Sequence, residues 1–149
     1  MNNLLEFHTR RVDHKSIQTS EVHEIVGILN QAIEERTNAY LHPILASDSL
    51  EWFGKYSQSS PAILICESDE KIIGWGSLSA YRSGREALMH CNEITFYVHR
   101  DHRRQGVAQF LLDQLEKIAF ESMVKHLVVI LLDSNSKSES LLAKNGYEL

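Results

Sequence analysis

Residues 90–108 read His90-Cys-Asn-Glu-Ile-Thr-Phe-Tyr-Val-His-Arg-Asp-His-Arg-Arg-Gln-Gly-Val-Ala108. The part over 90–98 is a strand by pattern: its side chains alternate, with Glu93, Thr95 and Tyr97 on one face and Ile94, Phe96 and Val98 on the other. A basic turn follows, and then a helix over 105–122 with apolar residues at Val107, Phe110, Leu111, Leu115, Ile118 and Ala119, spaced for one buried stripe. Next comes Leu127-Val-Val-Ile-Leu-Leu132, an apolar run that predicts a strand covered on both faces. Strand, helix and strand in this order predict a right-handed crossover between parallel strands.

Working outward, a strand is expected over 6–12. Ser20 is placed to cap a helix carrying Val22, Ile25, Val26, Leu29 and Ile33, and a shorter helix is expected over 49–56. The runs over 62–66 and 71–78, separated by Glu67-Ser-Asp-Glu70, suit an antiparallel hairpin. A last helix over 136–144 stops at Asn145-Gly146, where glycine accepts the left-handed cap conformation. The prediction is an α/β (α+β) chain in the order β-α-α-β-β-β-α-β-α, with a mixed central sheet flanked by helices.

The 149 residues, 43% hydrophobic and 23% charged, suit a single domain over 1–149 with a real core. No apolar run reaches the ~20 residues of a membrane span, and the start Met1-Asn-Asn-Leu-Leu-Glu6 lacks the features of a signal peptide, so a cytoplasmic protein is expected. Cys66 and Cys91 lie in strand-like stretches and read as small buried thiols in a reducing compartment. A net charge of −5 argues against a nucleic-acid partner. His99 and His102 have no nearby third ligand, so they read as surface residues and no metal is expected.

The chemistry concentrates in the basic turn. A helix start offers unpaired backbone N–H groups and a partial positive charge, Gly106 and Ala108 leave room for a bulky anion, and Arg100, Arg103 and Arg104 add attraction. The spacing matches neither a P-loop nor a dinucleotide fingerprint. Taken alone, such a turn is more often just a solvated helix start.

Arg103-x-x-Gly106-x-Ala108 after a strand resembles the pyrophosphate-binding signature of the GNAT superfamily of N-acetyltransferases. Asn135-x-x-Ser138-x-x-Leu141 with Lys144-x-Gly146-Tyr147 resembles that family's second cofactor element. Within the superfamily the chain is most similar to the phosphinothricin and methionine sulfoximine N-acetyltransferase branch. The similarity runs through Asn30-x-x-Ile33, Thr37-x-Ala39, Trp52-Phe53, Ile73-Gly74-Trp75 and Glu93 to Val98, over about residues 5–147. It implies a GNAT fold and acetyl-CoA as cosubstrate. By the same resemblance the cofactor would be held by the backbone of Phe96 and Val98, by the turn residues Arg103, Arg104, Gln105, Gly106, Val107 and Ala108, and by Asn135 and Ser138. Asn135 reads equally as a helix cap, and Ser138 as a solvent-facing residue.

An alkylammonium, with a pKa near ~10, cannot attack a thioester before it loses a proton, and Glu93 is the candidate base. Without the resemblance Glu93 reads as an exposed strand glutamate. Trp52, Phe53 and Tyr56 read as core or as an aromatic substrate wall. Two departures matter. Many relatives carry a tyrosine where this chain has Leu142, which leaves Tyr97 and Tyr147 as possible donors to the departing thiolate. The branch commonly has a tyrosine and an arginine where this chain has Leu88 and Met89, leaving Arg85 either to hold a substrate carboxylate or to sit in an exposed loop. The chain also stops soon after Tyr147, a shortened C-terminus that would leave a sheet edge for a second copy, so a homodimer is expected.

The expected activity is acetyl transfer to the primary amine of a small molecule, with amino acids of the phosphinothricin type as its most specific form. Acetylation of a protein N-terminus or lysine, and a non-catalytic acyl-CoA-binding module, are the alternatives.

Overall fold

The computed structural model describes residues 6–149. Residues 1–5, on which the expectation of no signal peptide partly rests and where the resemblance begins, lie outside the described part. The element order is β1 (His8–Val12), α1 (Thr19–Glu34), α2 (Ser49–Gln58), β2 (Ala62–Ser68), β3 (Lys71–Ala80), β4 (Cys91–Val98), α3 (Val107–Glu121), β5 (His126–Val128) and α4 (Ser136–Lys144). This is the predicted order. The five strands form one sheet in the sequence β1-β2-β3-β4-β5, antiparallel except for the β4–β5 pair, which is parallel as the crossover requires.

Each face of the sheet supports its own apolar layer. On one face Ile63, Ile65 and Trp75 pack against Val22, Ile25 and Leu29 of α1 and Phe53 of α2. The Trp75 indole N–H donates to the carbonyl of Ile25 at 3.1 Å, so the ring is buried without leaving a polar atom unpaired. On the other face Leu64, Leu78 and Ile94 meet Leu111, Leu112 and Leu115 of α3 and Leu142 of α4. Register passes from Cys66↔Gly74 to Glu67↔Ile72, so Ile73 is an extra residue in β3 and joins the α3 layer beside Leu78.

The hairpin expected around residues 67–70 closes more tightly than the sequence suggests. β2 and β3 pair as far as Ser68↔Lys71, leaving a two-residue turn in which Asp69 (φ 49°) and Glu70 (φ 61°) are both left-handed. Of the two cysteines only Cys66 is fully buried, and its thiol is pushed up to about 11 by burial. Cys91 opens β4 near the sheet end and is half-buried, which corrects the expectation for that residue.

The largest difference lies in β5. The apolar run predicts a strand over 127–132, but pairing ends at Glu93↔Val128. Val129 and Leu131 still turn into the α3 layer, while Ile130 and Leu132 are exposed on the opposite side. Only one side of the run is covered, by the α3 layer, so the expected cover on both faces is not met. A hydrogen-bonded ladder needs a neighbouring strand as well, and β4 has diverged by then.

α3 sits close to the sheet because β3 carries glycines beneath it. A Cβ on Gly76 would lie 2.8 Å from Leu115 Cδ1 and 2.8 Å from the Thr95 carbonyl oxygen. The second of these is backbone and cannot rotate away. Gly76→Ala is therefore expected to destabilise the protein by about 1–3 kcal/mol, as overpacking does, read as a lower midpoint in urea unfolding.

Candidate active site

β4 leaves its parallel partner immediately after Glu93. From residue 94 on, one side of β4 stays paired with β3, through Ser77↔Thr95, Gly76↔Phe96, Trp75↔Tyr97 and Gly74↔Val98. His99 N–H donates to the Ile73 carbonyl at 2.8 Å, so by alternation the backbone groups of Tyr97 and Thr95 also face β3. The backbone groups of Phe96 and Val98 then face the opening, where no strand of the described residues meets them. This is the disposition a strand-like ligand needs.

Two cavities flank that opening and share Phe96 and Thr37 as walls. The larger, about 460 Å³, is bounded by Val98, the turn residues Arg103, Arg104 and Gly106, the start of α3, and Asn135 at the start of α4. Gly106, at φ 85°, caps α3 with no side-chain hydrogen bond, and no acidic residue stands in the first turn. The first intrahelical bond is Phe110 N–H to the Gly106 carbonyl. The N–H groups of Val107, Ala108 and Gln109 are thus free at the positive end of a 15-residue helix. Such a cradle suits a diphosphate.

The site residues expected from the sequence fall unevenly around it. Phe96, Val98, Arg103, Arg104, Gly106, Val107, Ala108 and Asn135 line this cavity; Gln105 is exposed and does not, and Ser138 does not. Asn135 serves as the cap of α4, its side-chain oxygen accepting the Ser138 N–H at 3.3 Å, and lines the cavity as well. Arg100 and Arg103 are not free to attract an anion as expected. Arg100 Nη2 pairs with Glu34 at 2.9 Å, and Arg103 Nη1 with Glu35 at 2.6 Å, because the acidic end of α1 lies against the turn. Arg103 Nε also donates to the Val98 carbonyl at 3.3 Å. Arg104 has no salt bridge among the described residues, and Lys137 supplies another cation at the rim.

Sequence reasoning missed Glu35 and His102. Both line this cavity, and His102 is half-buried with its Nδ1 unpaired, not a surface residue. His99, also half-buried, accepts the Asp101 N–H on Nδ1 at 3.2 Å and shapes the turn. The signal for Glu35 is the acidic pair Glu34-Glu35 ending a helix, legible only once its neighbour is known.

The second cavity, about 300 Å³, holds Glu93 together with Tyr40, Trp52, Tyr56, Trp75 and Tyr97. Phe53 is core, 2% exposed, whereas Trp52 and Tyr56 are half-buried and line the cleft, so the two readings of these aromatics divide by residue. The Trp52 and Tyr56 rings stack at 5.0 Å, and Trp75 meets Tyr56 edge-on at 5.7 Å. Asn30, half of the Asn30-x-x-Ile33 pattern, accepts the Ile44 N–H at 2.8 Å and donates to the Ile44 carbonyl at 2.9 Å. It pins to α1 the loop that carries Tyr40. Burial pushes the Glu93 carboxyl above its ordinary value. Burial also pushes the Tyr97 phenol up, so it stays protonated. Leu142 is buried beneath α4, and the Tyr147 hydroxyl donates to Glu116 Oε1 at 2.9 Å, away from both cavities. Of the two tyrosines considered as donors, only Tyr97 faces Glu93's cleft. Arg85 lies exposed in the loop between β3 and β4 and lines neither cavity.

The sequence pattern of the Acetyltransferase (GNAT) family matches residues 26–147, which spans α1 through α4 and every element of this site. The chain belongs to the GNAT family of acetyltransferases. It is 25% identical to a Bacillus subtilis protein named "Putative phosphinothricin acetyltransferase YwnH", over 93% of this chain and 82% of that one. It is 27% identical to the L-amino acid N-acyltransferase MnaT of Escherichia coli, over 62% of this chain and 53% of that one. Its fold superposes with a TM-score of 0.82, at 16% identity, on a phosphinothricin acetyltransferase from Sinorhizobium meliloti solved in complex with acetyl-CoA, covering 96% of this chain and 75% of that one.

The cradle in this acetyltransferase can be tested at Gly106. A Cβ there meets nothing within 4 Å, so a substitution costs only the left-handed φ, about 1–2 kcal/mol. Gly106→Asp is expected to weaken acetyl-CoA binding about tenfold or more by calorimetry, while Gly106→Asn, which tolerates the conformation without charge, loses less.

Proposed function

We propose that the protein transfers the acetyl group of acetyl-CoA to the primary amine of a small molecule, with Glu93 as the general base. The observation that carries this is the placing of a half-buried carboxylate at the parting of β4 and β5, inside an aromatic cleft suited to an amine that shares Phe96 and Thr37 with a cavity suited to the cofactor. The diphosphate would lie on the start of α3 and at Arg104. The pantetheine arm would follow the open backbone of Phe96 and Val98 as an added strand, passing Asn135, and the thioester would reach Glu93.

In the reaction Glu93 takes a proton from the alkylammonium, and the freed nitrogen lone pair attacks the thioester carbon. The C–S bond then breaks and the thiolate leaves with its electron pair. The amide nitrogen sheds its second proton, and the thiolate gains one. A thiol pKa near ~8.5 makes the thiolate a competent leaving group, so the lack of a hydroxyl at Leu142 does not bar the step. Tyr97 is the nearest candidate to supply that proton.

The relatives named for phosphinothricin and L-amino acids support a small-molecule acceptor over a protein terminus or lysine. The aromatic cleft, sized for a small ligand, supports it too. No helix among the described residues is long and apolar enough to cross a membrane. β5 ends the sheet, and exposed Leu149 lies near it, which supports a homodimer formed along that edge.

Glu93→Gln tests the base. Loss of a general base costs about 10²- to 10⁴-fold in kcat/KM, with acetyl-CoA affinity little changed. Because burial raises the Glu93 carboxyl, the acid limb of wild-type kcat/KM is expected above the ordinary glutamate value, with activity lost as pH falls through it. The Gln variant should lack that limb in profiles taken from about pH 5 to 10. Wild-type rates in the variant would remove Glu93 from the mechanism.

The same shift carries a sign for stability. A carboxyl whose folded pKa lies above its unfolded one opposes folding at pH values above both, and the penalty fades as pH falls through the folded value. Glu93→Gln should therefore melt at or above the wild-type temperature at neutral pH and lose that advantage in acid. A clearly lower melting temperature at pH 7 would show that Glu93 is structural.

A further inference from the structure

The acceptor cleft has an uneven chemistry. Among the described residues Glu93 is its single one of the Asp, Glu, Lys, Arg or His types; the rest of its wall is aromatic, aliphatic, or neutral and polar. Apart from the Tyr97 hydroxyl, the aromatic wall has hydrogen bonds at each of its polar groups. The Tyr56 hydroxyl shares a 2.6 Å hydrogen bond with Ser77 Oγ, the Trp52 indole donates to the Tyr40 hydroxyl at 3.4 Å, and the Trp75 indole is bound to Ile25. What the wall offers a ligand is ring surface. Facing it across the opening are Ile130, 64% exposed, and Leu132, apolar side chains that no neighbouring strand covers.

We propose, resting on the acetyl-transfer reading above, that the acceptor is an amine with an aromatic or aliphatic body and no carboxylate, its ammonium held between Glu93 and the rings of Tyr40, Trp52 and Tyr56. A ring wall and a carboxylate both attract an ammonium, the rings through their negative faces. A carboxylate on the acceptor would enter beside Glu93, with like charge, and lose water without gaining a cation. Arg85 is outside the cleft, and Arg100 and Arg103 are tied to Glu34 and Glu35. Asn38 is half-buried in this wall, its Oδ1 accepting the Tyr40 N–H at 3.0 Å and its buried Nδ2 without a partner among the described residues. It is an uncharged donor, suited to a neutral oxygen and much weaker toward a carboxylate than a guanidinium. The chain thus departs here from the acceptors that its relatives' names record.

The test is calorimetric binding to the enzyme saturated with CoA, where no transfer can occur, using matched pairs: 2-phenylethylamine against L-phenylalanine, and 3-methylbutylamine against L-leucine, with L-phosphinothricin beside them. Each amine is expected to bind at least about tenfold tighter than its amino acid and than L-phosphinothricin. Amino acids binding as tightly as the amines, or amines that do not bind at all, would overturn the inference. Tyr40, 42% exposed, can be removed without opening the core. Tyr40→Ala should weaken amine binding about three- to tenfold and leave CoA binding unchanged, and an undiminished amine affinity would overturn the assignment of this wall. Thiol release with acetyl-CoA is measured separately. Amines that bind selectively but release no thiol would defeat the transfer reading and leave the acceptor class standing.

Discussion

The parting of β4 from β5 after Glu93↔Val128 is the constraint from which the site follows. A parallel ladder continued for five more residues would bury Phe96 and Val98 backbone groups in the sheet and close the space between the two cavities. Stopping it leaves the Phe96 groups and the Val98 N–H in need of partners, the Val98 carbonyl being met by Arg103, a cost that unpaired backbone bears unless water or a ligand meets it. Two structures keep the opening in place. α3 is drawn onto β3 by the missing side chains at Gly74 and Gly76, and the loop after α1 is held by Asn30 and by the Thr37 hydroxyl bond to the Ala32 carbonyl at 3.1 Å. The opening is thus shaped from outside by packing, and little of its geometry is owed to residues inside it.

The electrostatics of the cofactor side follow a division of labour. Arg100 and Arg103 are held by carboxylates at partly exposed positions, where ion pairs contribute about 0–1 kcal/mol to stability. Their value lies in orientation: Arg103 bridges Glu35 and the Val98 carbonyl, so the end of α1, the end of β4 and the turn before α3 are fixed together. Attraction for an anion is left to the bare first turn of α3, to Arg104 and to Lys137. Acidic residues are common at helix starts and stabilise them. Their absence from this one leaves its partial charge available.

What could be read from the sequence was what depends on local period and spacing. The β4 alternation placed Glu93 and Tyr97 on one side and Phe96 and Val98 on the other, the apolar stripe of α3 was clear, and Gly106 at a helix start marked the cradle. What could not be read depends on distant neighbours. The run over 127–132 looks the same whether its apolar residues meet a helix, a strand or a cavity, so neither the early end of β5 nor the use of Ile130 and Leu132 as a cleft wall was visible. Trp52 and Phe53 are adjacent and chemically alike, yet the turn of α2 buries one and leaves the other on the cleft. Arg85 matched a pattern, and its loop carries it away from the site. Glu35 gave no sign, because an acidic helix end is ordinary until a basic turn is packed against it.

The apolar cleft also bears on how a carboxylate can deprotonate an alkylammonium. In water their pKa values lie about 6 units apart, which would cost the transfer about 8 kcal/mol. Burial moves both groups in the useful direction. It raises the carboxyl, as it does for Glu93, and lowers the pKa of an ammonium brought from water into the same surroundings. Pairing of the two charges resists this, since each then favours the ionised form of the other, so the gap narrows without closing. In the proposed reaction the rings that line the cleft would therefore act twice, holding the cation on arrival and weakening its grip on the proton once water has gone. A wall of polar side chains around Glu93 would bind an ammonium as well or better, and it would keep the two pKa values apart.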